Sequence, residues 1–129
     1  MTGELFWLAM SAALGLILWI PYTAAGAGIV GLKSGTTDVP NHADFPGWAQ
    51  RSHRVHMNLV ESLAPFAVLV LILSVTGKAD AATSTAAATF FFARVAHAII
   101  YTMGIPYLRT VAYTVGWVAC LYLLWQILA

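Results

Sequence analysis

Two stretches of this chain, Leu5 to Leu32 and Thr110 to Ala129, contain no charged residue at all. A helix needs about 20 predominantly apolar residues to cross a bilayer, and both stretches are long enough to do so. Between them, Trp48 to Val75 and Thr83 to Gly104 are equally rich in Leu, Val, Phe and Ala, although each carries a polar cluster that lowers its hydropathy. With 60% hydrophobic residues, 9% charged residues and a mean hydropathy of +0.81, the chain falls outside the soluble globular class. The expected fold is therefore all-α, an integral membrane four-helix bundle with helices at about 4–32, 48–75, 83–104 and 108–128, forming one transmembrane domain over residues 1–129.

The start, MTGE, lacks the basic region of a secretory signal, so the first segment is read as a retained helix. The lone Cys120 excludes an internal disulfide, and a net charge of +1 without any basic run gives no purchase on nucleic acid. KSGTTDVPNHADFPG reads as a long loop, GKADAA as a turn with Thr83 or Ser84 capping the third helix, and GIPYL as the turn into the fourth. Lys33, Arg51, Arg54 and Arg109 fall on the long-loop side, against Lys78 on the other. The positive-inside rule then puts the 33–47 loop in the cytoplasm of a multi-pass protein, expected in a bacterial inner membrane.

The polar residues are not scattered. In RSHRVHMNLVE and its continuation, Arg51, Arg54, Asn58, Glu61 and Pro65 are spaced 3 and 4 apart and share one helix face. Arg94, His97 and Tyr101 repeat the device on the third helix, and Arg109 and Tyr113 on the fourth. Such stripes converge in a bundle interior or at a subunit interface, because lipid does not tolerate them. Counted at ~1.5 Å of rise per residue, Glu61 and Arg94 lie at nearly the same depth, which predicts an ion pair between them. The excess of cationic and amide donors over carboxylates suits an anionic, hydrogen-bonding ligand.

R-S-H-R-V-H-M-N-L-V-E-S-L-A-P, followed by ARVAHAIIY and by RTVAY, resembles the membrane-associated proteins in eicosanoid and glutathione metabolism, the group of microsomal glutathione transferases and of leukotriene and prostaglandin E synthases. The resemblance covers essentially the whole chain. It implies a homotrimer of four-helix subunits with glutathione, as co-substrate, held between neighbours near the cytoplasmic face. By position, Arg54, Asn58 and Glu61 would hold the peptide, with Arg51 and Arg94 close by. His97, Tyr101 and Tyr113 would line the pocket, and Arg109 would stabilise the thiolate as the catalytic residue. The resemblance further implies a lipophilic small-molecule partner drawn from the membrane lipids and a transferase or peroxidase reaction. Three features depart from the family's pattern: Ser62 follows the glutamate, Lys33 and Ser34 stand where relatives have a pair of arginines, and Trp117 stands where some relatives have a glutamine.

Other readings compete with this one. A non-catalytic scaffold or small-molecule-binding protein that kept the fold would carry the same stripes. A transporter or proton relay needs a polar path, and the half of the second helix beyond Pro65 is apolar. His53 and His56, with His42 and Glu61 in reach, do not complete a metal-ligand set, so no metal is expected.

Overall fold

The computed structural model describes residues 1–30 and 42–129. Four long helices make up the described chain: α1 (Gly3–Val30), α2 (Gly47–Thr76), α3 (Ala81–Thr102) and α4 (Leu108–Leu128), with one 3₁₀ turn at His42–Asp44. All four are long and apolar enough to cross a membrane, and the protein is an integral multi-pass membrane protein. The end of the expected first helix, at residues 31 and 32, and most of the long loop, with Lys33 and Ser34, lie outside the described residues.

Helices α2 and α3 form the centre, and α1 and α4 each pack against both of them. The α3–α4 seam is built from small residues: Ala86 and Ala93 on α3 are buried, as are Ala112, Gly116 and Ala119 on α4. Small side chains let helix backbones approach closely, which is how association is driven where lipid offers no hydrophobic contrast. At the middle of the bundle Phe66 of α2 and Phe90 of α3 stack with centroids 3.9 Å apart and planes 15° from parallel. Val70, Leu73, Ala87 and Leu123 close around them.

The turns obey local rules. Gly77 ends α2 with φ 69, the left-handed conformation that costs a glycine least, and its N–H reaches Leu73 O. Gly104 does the same after α3 with φ 77, and a Cβ there would also sit 3.2 Å from the Arg51 guanidinium carbon. The expected cap of α3 is corrected by the structure. Asp80, not Thr83 or Ser84, is the N-cap, because Asp-x-x-Thr satisfies two orphan donors reciprocally: Asp80 Oδ1 accepts from Thr83 N at 2.8 Å, and Thr83 Oγ1 accepts from Asp80 N at 2.7 Å.

Thr83 Oγ1 also donates to the carboxylate of Glu4, which is 2% exposed, so the first turn of α1 is tied to the first turn of α3. Removing that hydroxyl strips the carboxylate of its buried donor. Thr83→Val is expected to cost about 1–3 kcal/mol, read as a lower unfolding temperature in detergent.

Candidate functional site

On the other end of the bundle the three polar stripes meet only in part. The buried face of α2 runs through Ser52, Val55, Leu59, Phe66, Val70 and Leu73. The polar stripe lies beside that face, so Asn58 is half-buried while Arg54 and Glu61 are exposed. On α3, by contrast, Arg94 and His97 are themselves buried, at 3% and 2% exposure.

Asn58, His97, Tyr101, Arg109, Thr110 and Tyr113 line a cavity of about 200 Å³. Its walls hold one another in place through rings and cations. The His97 ring lies 5.5 Å from that of Tyr101 and 6.1 Å from that of Tyr113. The Arg109 guanidinium sits over the Tyr101 ring at 4.7 Å, a cation–π contact worth ~0.5–1 kcal/mol at an exposed site. Arg109 enters α4 after Tyr107, which has φ 65 and is the one non-glycine residue with positive φ among those described. Met103 to Tyr107 thus fold into a tight reversal that aims the first turn of α4 at the end of α3.

A second, larger cavity of about 480 Å³ opens between α2 and α4. Glu61, Arg94 and Tyr113 stand in its lining with Pro65, Leu69 and Trp117. Tyr113 therefore borders both spaces, and the Arg94 guanidinium lies 5.3 Å from its ring centroid.

The expected ion pair between Glu61 and Arg94 does not form within the described protomer. Arg94 Nη2 donates instead to Asn58 Oδ1 at 3.2 Å, and Arg94 Nε is enclosed without a partner. Glu61 and Arg94 line the same cavity. A count of rise per residue says nothing of azimuth, and the residue facing Arg94 across the α2–α3 seam is one turn earlier on α2.

The model of the MAPEG family matches residues 6–129. The chain belongs to the MAPEG family. No curated protein matches it.

Of the residues that resemblance to the MAPEG family marks, the structure brings Asn58, His97, Tyr101, Arg109 and Tyr113 to one cavity and Glu61, Arg94 and Tyr113 to the other. It leaves Arg54 exposed on the outer side of α2. Arg51 is used elsewhere: its Nε donates to Thr102 O at 3.0 Å, so the guanidinium caps the negative end of α3. Loss of that cap in Arg51→Ala is expected to cost about 1 kcal/mol in thermal unfolding.

Thr110, beside Arg109, was not picked out by sequence reasoning, and its adjacency to Arg109 was the only signal. His53 and His56 lie on the side of α2 turned to α1. Tyr22 OH hydrogen-bonds His56 Nδ1 at 3.1 Å and Tyr22 packs edge-on to His53 at 4.7 Å. Among the described residues no set of His, Cys, Asp or Glu side chains could hold a metal ion.

Proposed function

We propose that this MAPEG protein is a glutathione-dependent membrane enzyme that conjugates glutathione to a lipophilic electrophile or reduces a lipid hydroperoxide. The observation that carries the reading is the cavity of about 200 Å³ in which Asn58, His97, Tyr101, Arg109 and Tyr113 converge. Its lining offers an amide, an imidazole, two phenols and a guanidinium, which together suit a peptide with carboxylates and a thiol. Arg109 is the catalytic residue in this account. A guanidinium stays protonated in a partly desolvated site, so it lowers the energy of a nearby thiolate without competing for the proton.

Arg54 and Glu61 support assembly as a homotrimer. Both are exposed in a single protomer on a helix long enough to span the membrane, and charged groups there need a partner surface or water. A neighbouring subunit would cover them and bring them to the peptide's charged ends. The site lies on the side of the Met103–Tyr107 turn, and the distribution of arginines supports a cytoplasmic orientation for that side.

Isothermal titration of glutathione into the purified protein tests the binding half of this reading. Wild-type protein is expected to bind at millimolar glutathione or below, and Arg54→Ala to bind about tenfold more weakly through loss of a charge-assisted hydrogen bond. A wild-type protein with no binding heat and no thermal shift at millimolar glutathione would leave only a scaffold.

A further inference from the structure

The seam between α1 and α2 carries polar chemistry that the glutathione reading does not use. Tyr22 OH hydrogen-bonds His56 Nδ1 at 3.1 Å, and the Tyr22 ring meets that of His53 edge-on at 4.7 Å. His42, which opens the 3₁₀ turn, packs its ring 5.5 Å from that of His53. These rings join α1, the 3₁₀ turn and α2 at the end of the bundle where Arg51 reaches Thr102 O on α3. The same stretch of α2 also faces the smaller cavity: Asn58, two residues past His56, accepts from Arg94 and stands in the cavity lining. The first turns of α2 are therefore gripped between the ring cluster and the α3 contacts. Both sides together set the rotation of α2 that puts Asn58 in the cavity.

Charge makes this grip conditional. An imidazole is a neutral hydrogen-bonding group above its ordinary pKa of ~6.5 and a cation with two donors below it. No carboxylate pairs with His42, His53 or His56 among the described residues. The acidic groups of the neighbouring elements lie elsewhere, with Glu4 at the opposite end of α1, Asp44 exposed on the 3₁₀ turn and Glu61 in the α2–α4 cavity. Arg51 and Arg54 flank His53 along the chain and add to the positive charge. On the far side of α2 the cavities hold Arg94, His97 and Arg109, so α3 and α4 supply no counter-ion either. One imidazolium is tolerated against the Tyr22 ring as a cation–π contact. A second is repelled by the first, because His53, His56 and Tyr22 are half-buried and water screens them poorly.

We propose that Tyr22, His53 and His56, with His42, form an acid-sensitive clamp that positions α2 for glutathione. This rests on the glutathione reading above. The arrangement that binds is the one with neutral imidazoles, so affinity is complete above the imidazole range and is lost as pH falls through it. By linkage, bound glutathione opposes protonation of the clamp to the same extent. These four are positioning residues, which act through Asn58.

The test titrates S-methylglutathione into the purified protein at about pH 7.5 and at about pH 5.5, on either side of the imidazole range. The thioether has no thiol to ionise, and its carboxylates and amine keep their charges over that interval, so its own titration contributes nothing. Wild-type protein is expected to bind at least about tenfold more weakly at the lower pH. The double variant His53→Gln/His56→Gln keeps neutral donors and acceptors at every pH, and its affinity is expected to stay within about threefold across the interval. A wild-type affinity that does not change with pH overturns the clamp. So does a double variant that weakens as wild type does, since the response would then sit elsewhere, as at His97 in the cavity. Should the double variant fail to fold, histidine nuclear magnetic resonance of wild-type protein decides. Saturating S-methylglutathione is expected to move the titration midpoints of at least two of the chain's four histidines to lower pH, and unmoved midpoints contradict the proposal. Binding without a pH response sinks the clamp alone, whereas no binding of glutathione or its analogue at neutral pH sinks both readings.

Discussion

Arg109→Ala is expected to lower glutathione turnover with a lipophilic electrophile by at least about 100-fold, equivalent to ~2.7 kcal/mol of transition-state stabilisation. Arg109 is exposed, lines the polar cavity and is held over the Tyr101 ring at 4.7 Å, so it makes few contacts on which folding depends. Its loss should therefore appear in kcat, with glutathione affinity changed far less and the unfolding temperature nearly the same. Arg109→Lys discriminates further. A lysine keeps the charge but has a pKa that burial shifts readily and lacks the planar fork that stacks on Tyr101, so it should recover only part of the rate. Full activity in Arg109→Ala, assayed at saturating glutathione, would remove this residue from the chemistry.

The second large effect is on stability. Phe90→Ala is expected to destabilise the protein by about 3–5 kcal/mol, because Phe90 is 1% exposed and stacks on Phe66 at the centre of the core. In a bilayer the lost term is contact rather than transfer from water, since lipid tails are as apolar as the ring. The void would lie where α2, α3 and α4 meet, and Phe90 also lines the larger chamber. The unfolding temperature in detergent should fall by on the order of 10 °C. Phe66→Ala and the double variant complete a cycle: if the ring stack is a real unit, the double loss is smaller than the sum of the two single losses. Strict additivity would mean that the rings do not stabilise one another.

Much of the architecture is legible in the chain because membrane spans are written in composition. Uncharged runs at either end and two apolar stretches between them leave little choice but four helices, and the 3 and 4 spacing of Arg51, Arg54, Asn58 and Glu61 marks one face without any alignment. What spacing does not contain is the rotation of one helix against another. Counting rise per residue set Glu61 level with Arg94, yet the side chain that meets Arg94 is Asn58. Arg51 was read as part of a ligand site for the same reason: it shares the stripe, and nothing in its neighbourhood signals that α3 ends within reach of it. Asp80 is a different kind of miss. The Asp-x-x-Thr signal is present in the sequence, but Thr83 and Ser84 also carry capping hydroxyls, and the extended backbone at Asp80 decides between them. Tyr22 was hidden because an uncharged run reads as lipid-facing all round, whereas one side of α1 packs against the histidines of α2.

The larger cavity gives two of the departures from the family pattern a place in the structure. Ser62 and Trp117 both line the larger chamber, and neither borders the smaller one. Lys33 and Ser34 lie outside the described residues.

The central claim is that the cavity lined by Asn58, His97, Tyr101, Arg109 and Tyr113 binds glutathione and holds it as the thiolate. Ultraviolet difference spectroscopy measures this most directly: the thiolate absorbs where the thiol does not, and no electrophile is needed. On titrating glutathione into the purified protein at neutral pH, the account predicts a thiolate band that saturates with binding and is lost in Arg109→Ala. Saturable glutathione binding with no thiolate band in wild-type protein, or a band unchanged in Arg109→Ala, would contradict it.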